Sequence, residues 1–336
     1  MSMRLTRAQR GLAILLGAVL ACAALRLLIG SGGFGWPADA VVRYRVNAAL
    51  GAAAVGSALA IAGLFLQVLL RNPLASPFVL GLSSGAGFGY MVALFLAWRF
   101  GIELQGGLGI GGPVLAATVG SLATLAIVWR LGARGGTADP LALVLAGVVL
   151  SAIAGAGTTA VQSLVPAGLR GDFLAWMMGR IPESPPAGLL VLVIVLAVTA
   201  TAIGAALGRA LDVASLSDDE AASVGLSLAR LRIVLFGFAG LLAAGTVTLA
   251  GPIAFVGLIA PHAARMLLGP RHGTLAIGSS LAGAGLLLLA DTVRQSVDLG
   301  AGRLPVGVVT AIVGGPLFLV LLRRGPFVQW EGGRGA

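Results

Sequence analysis

The 336-residue chain is short of several things that a soluble enzyme of its size would carry. It has one cysteine, Cys22, which rules out an intrachain disulfide and any cysteine-based metal cluster. It has 2 histidines, too few for a metal site of ordinary spacing. It has no lysine, since all 22 basic residues are arginine; a Gly-rich phosphate loop ending in Gly-Lys-Ser/Thr is therefore impossible. Charged residues are only 10% of the chain, where a soluble domain has about 25%, while 58% is hydrophobic and the mean hydropathy is +1.02. Paired carboxylates, a histidine cluster and a nucleophile–base set are all missing, so nothing supports a membrane-embedded enzyme.

What is present is a series of long apolar runs. Ten segments approach the roughly 20 residues needed to cross the hydrocarbon core: 11–30, 46–70, 79–98, 112–131, 141–165, 186–208, 231–250, 252–268, 274–293 and 305–322. The runs are continuous rather than alternating, which excludes a β-barrel and predicts an all-α membrane protein. Val19-Leu20-Ala21-Cys22 resembles a lipoprotein cleavage box, but the apolar residues Ala23 to Ile29 beyond it favour an uncleaved first span.

A net charge of +10 raises the question of nucleic acid, yet no basic face stands apart from the spans. With the N-terminus inside, ten spans put 14 arginines on the cytosolic side (Arg4, Arg7, Arg10, Arg71, Arg130, Arg134, Arg209, Arg230, Arg232, Arg265, Arg271, Arg323, Arg324, Arg334) and the other eight outside. That bias sets the orientation, with both termini cytosolic.

Between two apolar runs lies a polar island, Arg209 to Arg232, holding four of the chain's 12 acids. Ser217 followed by Asp218, Asp219 and Glu220 reads as a capped helix start with acids in its first turn. Gly225 is positioned to end that helix, and Leu226-Ser227-Leu228-Ala229 to begin a second short one. Composition alone fits an ordinary solvated loop equally well. Further upstream, Pro73 and Pro77 break the helix after Arg71-Asn72, with Asn72 and Ser76 able to satisfy the freed backbone. Gly81, Gly85 and Gly89 then share a helix face open to close approach. Helix packing accounts for most of these glycines, while Ser83, Ser84 and Gly85 are candidates for lining a pathway.

Several of these stretches carry a family resemblance. Glu220-Ala221-Ala222 with Gly225 resembles the coupling segment of ATP-binding-cassette importers. Residues 71–86, RNPLASPFVLGLSSGA, resemble the signature after span two of the iron-chelate and cobalamin permeases, the FecCD-type family. The run from Gly251-Pro252-Ile253 through Phe255-Val256-Gly257-Leu258 to Pro261-His262 and Arg265 is similar to another signature of that family. So are Leu286 to Asp291 with Arg294, Leu304-Pro305-Val306-Gly307, Gly314-Gly315-Pro316, and Trp176 with Gly179 in an external loop. The chain is thereby identified as a member of that family, with about ten transmembrane helices in the type II ABC importer permease fold, forming one permease domain over residues 1–336.

The resemblance implies the membrane subunit of an importer for an iron-siderophore, haem, cobalamin or similar chelate. It implies a homodimer in the bacterial inner membrane, surrounded by lipid, with two cytosolic ABC ATPases holding ATP-Mg and an extracytoplasmic binding protein; nucleic acid, a cofactor of its own and a metal site are not expected. Asp219, Glu220, Ala221, Ala222 and Gly225 then form the ATPase coupling site. Asn72, Pro73, Pro261, His262, Arg265, Asp291, Arg294 and Pro305 are structural motif residues. The family opens span two with Arg-Leu-Pro-Arg and docks the binding protein through such arginines. Here Arg45-Val46-Asn47-Ala48 stands instead, leaving Arg43, Arg45 and Arg303 as the docking candidates. The alternative function is an ion-coupled secondary transporter, which would need an intramembrane acid. Asp291 is its one candidate, and the residue is expected to pair with Arg294 one turn away.

Overall fold

The structure is a computed structural model and describes residues 6–30, 33–102, 111–134, 137–297 and 303–323. Arg4, Arg324 and Arg334, counted above on the cytosolic side, lie outside the described residues. The described part is built from helices: α1 (Arg7–Leu28), α2 (Asp39–Leu69), α3 (Leu82–Phe100), α4 (Gly112–Gly132), α5 (Pro140–Leu164), α6 (Ala167–Met177), α7 (Ala187–Ala206), α8 (Gly208–Ala214), α9 (Asp218–Ser223), α10 (Leu228–Ala250), α11 (Val256–Leu268), α12 (His272–Ser296) and α13 (Val306–Arg323). Two clipped antiparallel hairpins, pairing Ile29–Gly30 with Gly33–Phe34 and Ala133–Arg134 with Thr137–Ala138, complete the secondary structure.

Each of the ten apolar segments holds one helix. Seven of them, α1, α2, α4, α5, α7, α10 and α12, are long and apolar enough to cross a membrane, and α11 and α13 are shorter apolar helices. The chain is a multi-pass, all-α membrane protein.

The helices are arranged around α2, whose residues from Ala48 to Leu69 are almost all buried. It packs against α12, α10, α11 and α7. Lipid tails are as apolar as leucine side chains, so helices in a membrane associate through close packing rather than through expulsion of water. The sequence supplies that closeness with small residues on both partners. A Cβ at Gly56 would overlap the carbonyl of Gly283 on α12, and one at Gly63 would overlap the carbonyl of Gly257 on α11. Of the expected Gly81, Gly85 and Gly89 face, only Gly85 and Gly89 lie in α3 and work in the same way, since Gly81 is the left-handed residue that precedes the helix. Gly85 and Gly89 rest on the α4 backbone at Gly120 and Ala116, and Gly81, in the left-handed conformation at φ 78°, meets Gly147 of α5.

The helix break after α2 forms as the two prolines require. Asn72 accepts a hydrogen bond from the Leu74 N–H at 2.8 Å, and a single 3-10 turn, Pro77–Leu80, leads into α3. Ser76 precedes that turn without capping it, so Asn72 alone supplies the side-chain bond expected of the pair.

At the end of the bundle where α1 and α12 finish, Asp291 is fully buried and held from two sides. Arg294 Nε donates to Oδ1 at 2.8 Å, as the one-turn spacing predicts, and the guanidinium of Arg26 donates to Oδ2 from α1. Arg26 is only 1% exposed. By sequence it is simply one of the external arginines. The available signal is a lone charge inside an apolar run, which in a membrane calls for a partner.

Two outcomes test this packing. Gly63→Ala should lower the thermal midpoint of the solubilised protein, by the order of 1–3 kcal/mol expected of overpacking, whereas Gly17→Ala, on open surface of α1, should not. Arg26→Met leaves Asp291 with one arginine and should cost about 3–5 kcal/mol, the penalty for breaking a buried ion pair. The double variant Arg26→Met/Asp291→Asn should recover part of that loss in the same melting assay.

Candidate functional site

The polar island folds into two short helices, of which only the one that starts after Ser217 and ends at Gly225 is read from the sequence. The first is α8, preceding Ser217; the second is α9, starting at Asp218. The expected second helix at Leu226–Ala229 is the first turn of α10, which continues into the next span. The reason is apolar continuity: from Leu231 onward the chain has no polar stop, so a helix nucleated at Ser227 runs on.

α9 is stopped at both ends by local chemistry. At its start Ser217 and Glu220 form a reciprocal capping box: Ser217 Oγ accepts from the Glu220 N–H at 3.2 Å, and Glu220 Oε2 accepts from the Ser217 N–H at 2.9 Å. The backbone N–H of Ser217, and after it the Ser217 hydroxyl, which donates to Oε2 at 2.8 Å, hold the Glu220 carboxyl below its ordinary pKa. The cap is therefore intact above the usual carboxylate range and is lost as the pH falls through that lowered value. At the far end Gly225 sits at φ 80°. Its N–H donates to Ala222 O at 2.9 Å, and the Leu226 N–H donates to Ala221 O at 3.1 Å. This double bond pattern is the Schellman reversal, for which the left-handed glycine is required.

Asp218 fastens the helix to the rest of the molecule. Its Oδ1 accepts from Arg232 Nη2 at 2.8 Å and forms an ion pair with Arg71 Nη2 at 2.6 Å. Arg71, itself left-handed at φ 46°, also donates through Nε to Ala214 O at 3.0 Å. Arg232 donates through Nη1 to Ala138 O at 3.1 Å, in the second hairpin. One carboxylate thus joins α9 to the end of α2, the start of α10, the end of α8 and the hairpin between α4 and α5. Sequence reasoning chooses its neighbour Asp219 and passes over Asp218, Arg71 and Arg232. No local signal marks the pair, since Arg71 lies 147 positions before Asp218, and only the fold shows which acid the two arginines reach.

The remaining surface of α9 is open. Ala221 is buried beneath it, while Asp219, Glu220, Ala222 and Gly225 are exposed. Beside them Leu216 is 51% and Val224 72% exposed. A small-residue ridge with two apolar side chains and an acidic end is therefore presented outward on a rigid mount.

Next to this element His272 at the head of α12 receives α8. Asp212 Oδ1 accepts from the His272 N–H at 2.9 Å and contacts Nδ1 at 2.7 Å. His262 and Arg265 of α11, which share a helix face as expected, line a cavity of about 370 Å³ together with Gln67, Pro73, Asp212 and His272. Pro261 lies inside α11, buried.

The other sequence-derived residues are spread apart. Ser83, Ser84 and Gly85 lie in the first turn of α3, where Gly85 is buried against Thr124 of α4; Ser83 Oγ is buried with no hydrogen-bond partner among the described residues. Arg43 is exposed near the start of α2. Arg45 is turned inward: Nη1 donates to Leu27 O at 2.6 Å and to Gly35 O at 3.4 Å, clasping the first hairpin. Arg303 and Pro305 border a second cavity at the Asp291 end, next to Trp176. The three docking candidates thus share one end of the molecule, opposite α9, but not one patch.

A bundle of apolar helices gathered on a buried small-residue helix, with a capped and clamped polar helix at one end, defines a membrane transport subunit. Residues 32–324 match the FecCD transport family, and the chain belongs to it. It is 34% identical over 283 residues to the hemin transport system permease protein HmuU of Yersinia pestis, covering 84% of this chain and 83% of the relative. It is 34% identical over 288 residues to the Fe(3+) dicitrate transport system permease protein FecC of Escherichia coli, covering 86% and 84%. A solved structure described as an inward-facing conformation of a candidate metal-chelate type ABC transporter superposes with a TM-score of 0.81 at 30% identity, covering 94% of this chain and 99% of the other.

The Asp218 clamp generates a specific expectation. Asp218→Asn should cost about 1 kcal/mol, discounted because the carboxylate is 54% exposed, and should raise amide hydrogen exchange across 218–226. Asp219→Asn, one residue along, should leave the exchange of that segment unchanged.

Proposed function

We propose that the chain is the non-catalytic, membrane-spanning subunit of an ATP-driven importer, and that α9 is where a cytosolic ATPase engages it. The observation that carries this reading is the exposed ridge Leu216–Val224 on its Asp218 mount, in a chain of the FecCD transport family. A partner groove can seat Ala222 closely, and force applied there passes through Arg71 into α2. ATP-Mg is bound by that partner, and this chain contributes no cofactor. All ten helix-bearing segments cross the membrane. The arginine distribution puts α9 and both termini in the cytosol of a bacterial cell, with Arg43, Arg45 and Arg303 facing an extracytoplasmic binding protein.

The subunit works as a homodimer with two ATPases. The cargo is a metal chelate, the class to which the hemin and ferric dicitrate named for the relatives belong. An ion-coupled secondary transporter is the weaker reading: Asp291, the acid it would use, is held by Arg26 and Arg294.

Two variants test the coupling role. Gly225→Val places a β-branched residue at φ 80°, costing about 1–2 kcal/mol; nothing lies within 4 Å of its Cβ, so the effect is on the reversal alone. Ala222→Trp adds bulk to the exposed ridge. Both variants should insert and bind the loaded binding protein, yet fail to transport, and Ala222→Trp should also lose ATPase on co-purification. Normal transport by both would remove α9 from the coupling role.

A further inference from the structure

At the end of the molecule opposite α9, a cavity of about 590 Å³ opens between α3, α6, the end of α10, the end of α12 and the start of α13. Its volume lies in the range of small-molecule sites. Among the described residues Arg180, Arg294 and Arg303 line it, against one acid, Asp172. Arg294 is 8% exposed, and although its Nε is bonded to Asp291, its Nη2 is buried without a hydrogen-bond partner among the described residues. Leaving a guanidinium N–H buried and unsatisfied is costly, and an oxyanion in the cavity would remove that cost. Behind it, Asp291 is shared by two arginines, so the cluster of Arg26, Asp291 and Arg294 keeps a net positive charge. The lining also carries a flat aromatic pair: the rings of Tyr90 and Trp176 are stacked with centroids 4.4 Å apart and planes 17° apart.

We infer that this cavity is a recognition site for the oxyanionic groups of the cargo, and that the cargo is therefore an anionic chelate, its carboxylates or phenolates on the arginines and its planar face against Trp176. The inference rests on the transport reading above and narrows its cargo by charge. An acidic protein surface is the rival occupant. It can reach the partly exposed Arg303, in keeping with the docking role above, but Arg294 at 8% exposure is open only to a small anion inside the concavity.

The test is equilibrium dialysis of the solubilised full-length chain against two radio-iron probes of similar size, the trianionic ferric tris-catecholate and the neutral ferric tris-acetohydroxamate. The chain should prefer the trianion, and the preference should shrink as salt rises. Arg180→Gln/Arg303→Gln changes residues that are at least partly exposed and leaves the Asp291 cluster intact. It should weaken trianion binding about tenfold, the size of two modest charge contacts, and leave the neutral probe unaffected. Equal affinity for the two probes, binding of neither, or unchanged affinity in the double variant overturns the inference. Binding of a hexaglutamate peptide without binding of the trianion assigns the arginines to protein docking and overturns it as well. Loss of ATPase co-purification with anion binding retained would instead count against the transport reading alone.

Discussion

The structure depends on how closely α2 can be approached. Within a bilayer no water is released when two helices meet, so the contact has to come from backbone lying against backbone. At Gly56 and Gly63 there is no room for a single methyl group between α2 and its neighbours α12 and α11. The positions of α7 and α10 are set in turn, because both also lean on α2. The shared carboxylates are placed where the close-packed frame ends: Asp291 with Arg26 and Arg294 at one end, Asp218 with Arg71 and Arg232 at the other. Each is a carboxylate shared by two arginines from different helices, so each ties together elements distant in sequence.

Much of this could be read from the sequence because apolar run length and small-residue spacing are local properties. The ten segments, the proline break after Arg71, the glycine face of α3, the Ser217 cap and the left-handed Gly225 all depend on residues within a few positions of one another. The family motifs from span two to span ten added the expectation of a permease. The illegible part depends on contacts across the fold. Arg26 and Asp291 are separated by 265 positions, and nothing local says that they meet. Asp218 and Asp219 are chemically identical neighbours, and only the direction of the first turn decides which one faces Arg71 and Arg232. The start of α10 is hard to place for a related reason: a Ser–Leu–Ala stretch opens a short helix or a long one depending on the residues after it.

The two polar ends differ in a way that suits transport. The α9 end is a mounted projection, built to be gripped. The Asp291 end is a recess with a surplus of positive charge, built to receive. On the reading proposed above, force and cargo act on opposite ends of one bundle, and at each end an arginine ties the shared acid to an element distant in sequence.

The length of α2 has a mechanical consequence. Its 31 residues make a rod of about 46 Å, well beyond the roughly 30 Å hydrocarbon core. At one tip Arg71 holds Asp218; near the other, Arg45 clasps the carbonyl of Leu27. Close packing along its length keeps such a helix straight, so any tilt would be shared by both tips. Tilting it by a few degrees would move both tips in opposite directions by an ångström or more. The same rod that gathers the bundle is therefore a beam on a fulcrum, whose axle is the glycine contact at its middle.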